Sequence, residues 1–435
     1  MSSRNEDRRR FGVGTLTALV VGNAIGAGVY TTSGFALADL GSREWVLWAW
    51  VVGGFVALLG AASYGMLARQ VTESGGEYVY LSRSLHPVAG SVAGWISLLA
   101  GFSGAIAFSA QALEAYARAA IPALAPLPHH TIAVSSILAA GWMHTRRGHI
   151  GARLHNGIVI VMLGGLVTLC IWAAFLWGLG SWTPPPPLHR PPTFRLDVFA
   201  MTLVWVSLSY SGFNAAVYVA DEARDPHRSI PRAMWLGTAA TMILYVAVNT
   251  VFLYVPRSDV IAGQPEVAAL AAEALGGRML RRMVEVLIAF SLLTSVTAMV
   301  LAGPRVYAKM ADDGVLPAIF RSESKPFPRF AIYLQVGLAV LLTLVSGLRE
   351  LLSYLGLTLS LCLALAVSTL FVRHLRRGER PQTWLYPVAP AMFLACTLTF
   401  AGLSAARNPT ELVAAAMTFG VGIAAYLLRR SSLLR

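Results

Sequence analysis

Residues 21–30 read VGNAIGAGVY, and three of these ten residues are glycine although the run around them is apolar enough to cross a membrane. A glycine-rich turn inside a helix frees backbone amides and carbonyls that would otherwise bond one another. In hydrocarbon such groups are expensive to leave bare, so the break predicts a polar ligand. Gly26, Ala27 and Gly28 open the second half of the helix, where the first amides and the positive end of the helix dipole suit a carboxylate. The first half ends near Ala24 and Ile25, whose carbonyls suit an ammonium or a metal cation. A ligand carrying both groups at that separation is an α-amino acid. The plainer alternative is packing, because Gly22 and Gly26 form a Gly-x-x-x-Gly pair of the kind that lets membrane helices touch.

A second interruption favours the ligand. SYSGFN, residues 209–214, breaks the sixth apolar run as GNAIGAG breaks the first. One discontinuous helix then heads each of two groups of five, the arrangement that marks a midplane binding site between inverted halves.

The elements that must position these breaks are twelve apolar stretches, at 13–40, 44–68, 88–118, 131–144, 154–180, 196–220, 233–255, 280–310, 330–347, 351–373, 384–405 and 411–428. Most reach the ~20 residues that cross ~30 Å of hydrocarbon; 131–144 is the short one. With 56% hydrophobic and 13% charged residues and a mean hydropathy of +0.62, a 435-residue chain has no way to hide its apolar surface in water. The expected fold is therefore an all-α integral membrane protein of twelve transmembrane helices, a five-plus-five inverted repeat with discontinuous helices 1 and 6. Its expected parts are a tail at 1–11, a first repeat at 12–180, a Pro-rich outer loop at 181–195, a second repeat at 196–375, and helices 11 and 12 with the C-terminus at 376–435.

Charge orients this bundle. When both termini are placed in the cytoplasm, 24 of the 34 Lys and Arg residues fall on the inner side, among them Arg8, Arg9, Arg10, Arg146, Arg147, Arg153, Arg376, Arg377, Arg429 and Arg430. That is the positive-inside asymmetry, and it fits an even number of spans. The net charge of +13 is thereby accounted for without a nucleic-acid partner. MSSRNEDRRRF leads into a run too long for a signal peptide and lacking a cleavage pattern, so the run stays as the first span. Cys170, Cys362 and Cys396 fall inside spans as small buried residues, with no disulfide and no metal spacing. PEVAALAAEALGG, residues 265–277, has helical periodicity and reads as a packing segment or a helix along the membrane surface.

VGNAIGAGVY, SGGEYVYLSRSLHPVAG, YSGFNAAVYVADEARDPHRSIPRA and LAGPRVYAKMADDGVLP together resemble the amino acid, polyamine and organocation (APC) superfamily of transporters. The resemblance implies alternating access and an amino acid held between helices 1, 3, 6, 8 and 10. It implies that Gly26, Ala27 and Gly28 bind the substrate carboxylate, that carbonyls near Ala24, Leu208 and Ser211 take the ammonium, and that Gly101, Ala105 and Phe108 of helix 3 face the side chain. Where many relatives place an aromatic gate this chain has Leu208, with Tyr210 or Trp205 as substitutes for that gating role.

No acid sits at the expected midplane. Glu114 and Glu285 lie near the outer ends of their spans, Glu114 within reach of Arg118, and Asn214 stands where arginine exchangers of the superfamily carry a glutamate. A neutral amino acid is the expected substrate. Proton-coupled relatives often place a lysine on helix 5; the matching position here is Met162, and the only lysines are Lys309 and Lys325. A cation cage is the other route: GNAIGAG is also similar to the first break of bacterial neurotransmitter:sodium symporter homologues. Carbonyls of Gly22 and Ile25 with hydroxyls of Ser291, Thr294 and Ser295, which share one helical face, would make a five-oxygen site for Na⁺. Against it, Ser and Thr in membrane helices mostly bond back to their own carbonyls.

Three coupling modes stay open: sodium coupling, ion-free exchange or facilitated diffusion, and proton coupling through another group. No further cofactor and no other metal is expected. DEARDPHRSIPR offers Asp221, Glu222 and Asp225 as inner-gate partners for Arg69 or Arg83. An enzyme is disfavoured because no His-Glu-x-x-His or Cys/His cluster occurs. A non-transporting nutrient sensor on the same fold remains as an alternative. The expected setting is the plasma membrane, as in a bacterial inner membrane, with the chain multi-pass and a monomer or homodimer.

Overall fold

The computed structural model describes residues 11–73, 75–146, 152–180, 185, 193–316, 318–321 and 329–433. Most of the Pro-rich loop, and Lys325, lie outside these residues. Within them the chain is helical, with one isolated backbone bridge between Phe11 and Ala223. In chain order the helices are α1 Val13–Ala24, α2 Ala27–Leu40, α3 Arg43–Gln70, α4 Gly76–Ser84, α5 Pro87–Ala120, α6 Thr131–Arg146 and α7 Ala152–Gly178. They continue with α8 Leu196–Tyr210, α9 Pro226–Tyr254, α10 Val267–Asp312, α11 Arg329–Val345, α12 Leu348–Arg377, α13 Val388–Arg407 and α14 Pro409–Leu433.

Among the described residues nine helices are long and apolar enough to cross a membrane, ten if the bent pair α1 and α2 forms one span. The chain is a multi-pass membrane protein by this measure. The expected count was twelve; the difference lies in α6, with 16 residues, and α11, with 17, both short for ~30 Å of hydrocarbon.

Local chemistry sets several of the boundaries. Ser42 accepts from the Trp45 amide at 3.3 Å and so caps α3, and Gly41 just before it stops α2 with a φ of 63°. Glu350 accepts from the Gly347 amide at 2.9 Å at the start of α12. Residues 97–104 of α5 form a π-helical segment that includes Gly101, a local widening that often accompanies a functional site.

The stretch expected either to pack or to lie along the membrane surface is helical and packed. In α10 the axis breaks at Gly276 and Gly277, and before that break Val267, Ala268, Ala269, Ala271 and Ala272 are fully buried. The residues leading into it cover α2: the Gly263 amide donates to the Gly34 carbonyl at 2.8 Å. A side chain at Gly34 would drive into the Gln264 carbonyl, so only glycine allows this lid to seat. Its small residues, rather than a polar outer face, explain why it covers protein instead of lipid.

Candidate functional site

Both interruptions are real breaks in the backbone. α1 ends at Ala24, Ile25 turns extended with ψ 94°, and Gly26 stands at the N-cap of α2 with φ −136° and ψ −167°. The two half-helices meet at 43°. α8 ends at Tyr210; Ser211 has ψ 146°, Gly212 has φ 104°, and a 3₁₀ turn takes over at Ala215. The Ser211 amide closes on the Leu208 carbonyl at 3.0 Å.

The breaks lie against each other. A Cβ on Gly212 would stand 2.7 Å from Asn23 Nδ2 and 3.0 Å from the Asn23 carbonyl oxygen. A Cβ on Gly28 would stand 3.0 Å from Ser209 Cα, and Thr32 Oγ1 meets Ser209 Oγ at 3.2 Å. Glycine at these two positions is therefore a condition for the halves to approach, and at Gly212 the positive φ adds a second reason.

Beside the contact the space is open. A Cβ built on Gly26 would meet no atom within 4 Å, and on Gly101 only the Ile96 carbonyl at 3.8 Å, with Leu359 Cδ2 and Ser97 Cβ at 4.0 Å. Gly26, Gly101, Ala105, Leu208 and Ser211 are half-buried, Ala24, Ile25, Ala27, Gly28 and Phe108 buried, and Asn23 is exposed. Every residue from 27 to 37 of α2 is buried, whereas α1 carries exposed residues at 14, 15, 18, 19 and 23. A separate cavity of ≈ 40 Å³ lies among α3, α8, α12 and α13 with Ser207, Phe213 and Phe393 in its wall; no residue of α1, α2 or α5 reaches it.

The α2 side is held by identifiable bonds. Trp205 is fully buried, with Nε1 donating to Ser353 Oγ at 2.7 Å and the Arg349 guanidinium 5.0 Å above its ring. Arg349 pairs with Asp39 near the end of α2. Trp205 thus joins α2, α8 and α12. Tyr210, the other expected gate, is buried against Trp50 and Tyr245, ring centroids 5.9 and 5.1 Å away, and donates to the Trp50 carbonyl at 3.0 Å.

Sequence reasoning missed two residues here. Tyr245 of α9, with no exposed surface, donates its hydroxyl to the Ala24 carbonyl at 2.5 Å and lies 3.2 Å from the Ser209 carbonyl. The orphan carbonyls at both breaks thereby share one phenolic proton, part of the satisfaction that a broken membrane helix requires. Asn249 holds the same turn through the Tyr245 carbonyl at 2.8 Å and accepts from Ser33 at 2.5 Å, and Ser33 accepts from Trp50 Nε1 at 2.8 Å. A tyrosine in an apolar run gives no signal of such a role.

The second is Glu77 on α4, 5% exposed. Its carboxylate accepts from Tyr64 Oη at 2.9 Å, from Asn214 Nδ2 at 2.5 Å, and from Tyr218 Oη. Asn214, expected at the pocket, is thus engaged with a buried acid at the end of the second break. The available signal was a lone acid directly after Gly75 and Gly76 and before an aromatic run.

The remaining candidates fall elsewhere. Thr294 and Ser295 donate to the Ser291 carbonyl at 2.8 and 3.0 Å, and among the described residues no cluster of His, Cys, Asp and Glu is arranged to hold a metal. A Cβ on Gly22 would lie 3.4 Å from Val159 of α7, and Met162 on the same helix is buried. Glu114 accepts from Arg118 at 2.9 Å and from the amides of His130 and Ala133, both at 2.9 Å, so it caps α6. Glu285 pairs with Arg281 at 2.6 Å. The expected inner-gate pairs differ: Arg83 meets Glu73 at 3.0 Å, Asp225 lies 3.8 Å from Arg228, and Arg69 offers its carbonyl to His227. Glu73 lies in the turn that leads into α4 and Arg83 in the last turn of α4, so the pair is local to this segment. Cys170, Cys362 and Cys396 are free thiols.

A family model described as amino acid permease matches residues 11–423. The chain is 23% identical over 417 residues to the human large neutral amino acids transporter small subunit 2, covering 90% of this chain and 76% of that one. It is 23% identical over 417 residues to mouse Asc-type amino acid transporter 1, covering 93% and 78%. It is 27% identical over 439 residues to an uncharacterized transporter of Mycobacterium bovis, covering 98% and 92%. With the family match running through both breaks and nearly end to end, the chain belongs to the amino acid permease family of the APC superfamily.

Proposed function

We propose that this protein carries neutral amino acids across the plasma membrane by alternating access, as a secondary transporter and not an enzyme. The family match and the transporter relatives support amino acid transport. The single observation that carries the mechanism is the open space beside Gly26, set between two broken helices whose ends lie in contact. In this reading the amides at Gly26, Ala27 and Gly28 take the carboxylate, and the ammonium lies against Ala24, Ile25 and the second break near Leu208 and Ser211. Tyr245 does not preclude this, because a carbonyl oxygen has two lone pairs and the phenol uses one of Ala24's. Gly101, Ala105 and Phe108 border the side chain.

The fold that goes with this reading has twelve spans, with α1 to α7 and α8 to α12 as inverted repeats and both termini cytoplasmic. Trp205, with Arg349 and Asp39, acts as the closed outer gate, and the open α1 side is the cytoplasmic one. Neutral substrates follow from the border of the hollow, which is made of glycine, alanine, isoleucine, leucine, phenylalanine and serine. The buried acid Glu77, which binds Asn214 just past the second break, is engaged by three donors.

Ion-free exchange or facilitation is the first reading, because the Thr294 and Ser295 hydroxyls are satisfied by the Ser291 carbonyl of their own helix and need no bound cation to pair them. Sodium coupling is the second reading: those hydroxyl oxygens keep lone pairs facing the same side as before. Uptake of labelled alanine, serine, leucine, arginine and glutamate into proteoliposomes, in sodium and in choline, with and without internal amino acid, tests all of this. Uptake of the three neutral substrates in both buffers supports the proposal; preference for arginine or glutamate contradicts it. Binding without flux would leave a nutrient sensor.

A further inference from the structure

The end of the helices that is richest in arginine holds a crevice the transport reading does not use. Its volume is ≈ 320 Å³, and it runs between α3 and α9 under the segment that precedes α13. At its floor α3 and α9 touch, since a Cβ on Gly65 would stand 3.1 Å from Pro231 Cβ. Its mouth carries Arg69 and Arg232, both exposed and neither in an ion pair among the described residues. Three acids of the flanking segments have other partners: Glu73 pairs with Arg83, Asp225 lies beside Arg228, and Glu379 pairs with Arg373.

Two guanidiniums outside any ion pair among the described residues are a strong attraction for an anion with several oxygens, above all a phosphate, which each can bind through two parallel N–H donors. The wall next to them is apolar and faces outward. Trp235 is 49% exposed, Leu236 48% and Ile243 72%, all along one side of α9. A tryptophan at this level, with aliphatic residues beyond it and arginines before it, is the pattern of a helix passing from headgroup region to hydrocarbon. A free phosphate would use the arginines and leave the apolar stripe without a partner; an amphiphile uses both.

We propose that this crevice binds an anionic phospholipid, its phosphate between Arg69 and Arg232 and its chains along Trp235, Leu236 and Ile243. The occupant holds α9 against α3 at the Gly65–Pro231 contact. Because α9 carries Tyr245 about 20 Å further along, the lipid stiffens the helix that bridges the two breaks. The site stands whether or not the protein transports amino acids.

The test compares delipidated protein returned to vesicles of phosphatidylcholine alone or with about one fifth phosphatidylglycerol, reading retained lipid by native mass spectrometry and melting temperature by fluorescence. The expected result is retained phosphatidylglycerol and a raised melting temperature. R69Q/R232Q weakens retention by roughly five-fold per arginine, the factor for a basic residue near an anionic surface. R69K/R232K keeps part of it, R376Q/R377Q behaves as wild type, and inorganic phosphate leaves the melting temperature unchanged. Equal retention of the two lipids by wild type, equal loss in the two Arg-to-Gln pairs, or a phosphate effect as large as that of phosphatidylglycerol would overturn the proposal. Should R69Q/R232Q fail to fold, the lipid preference of the wild type and of R69K/R232K still decides it.

Discussion

The hydroxyl of Tyr245 reaches the carbonyl of Ala24 at 2.5 Å across the packing of α9 on α1. That bond ties the end of the first half-helix to a helix outside the break, and the same oxygen sits 3.2 Å from the Ser209 carbonyl of the second break. Opening the chain at both places is thereby compensated from one side chain, leaving the Gly26 side free for a solute.

Tyr245→Phe removes the proton and keeps the ring packed against Trp50 and Tyr210. Each buried carbonyl left without a donor costs about 1–3 kcal/mol. The variant is expected to melt lower and to take up substrate more slowly, by fluorescence melting and proteoliposome flux. Unchanged values in both would show that the bond does not hold the breaks.

Three glycines separate space for packing from space for ligand. Gly28→Ala meets Ser209 backbone, and Gly212→Ala meets Asn23 as well as an unfavourable φ, so both are expected to destabilise by about 1–3 kcal/mol. Gly26→Ala meets nothing and is expected to keep wild-type melting while raising KM on the order of ten-fold, as a misplaced methyl does in a fitted pocket. A Gly26→Ala carrier with normal KM would place the substrate elsewhere.

Much of this was legible because glycines and a polar SYSGFN inside apolar runs admit few explanations. The surroundings of Trp205 were less so: only folding brings Arg349 over its ring. Tyr245 and Glu77 were unreadable in their roles, since their partners lie 221 and 137 residues away, at Ala24 and Asn214. Of the twelve stretches, nine or ten meet the length and hydropathy of a span among the described residues, because hydropathy does not fix where a short helix such as α6 begins and ends. Hydroxyls spaced for a cation cage at 291, 294 and 295 are also spaced to bond their own helix, and in α10 those of Thr294 and Ser295 donate to the Ser291 carbonyl.

Glu77→Ala leaves Tyr64, Asn214 and Tyr218 without their shared acceptor, so uptake and melting temperature should both fall. Glu77→Gln keeps one oxygen and should fall less. Equal, wild-type behaviour of the two variants would remove Glu77 from the account of the second break.

Thr294→Ala should leave uptake unchanged in sodium and in choline alike, because the hydroxyl it removes serves its own helix. A sodium-dependent wild type whose dependence disappears in Thr294→Ala would instead establish the cage of Gly22, Ile25, Ser291, Thr294 and Ser295.

The central claim is that two opened turns hold both charges of an amino acid. Its most direct measurement is inhibition of labelled leucine, alanine or serine uptake, whichever is carried, by analogues that lack one charge: the amino alcohol, without the carboxylate, and the deaminated acid, without the ammonium. The account predicts that neither inhibits at concentrations where the parent amino acid does, and that Gly26→Ala weakens the parent alone. Inhibition by either analogue as strong as by the parent would contradict it.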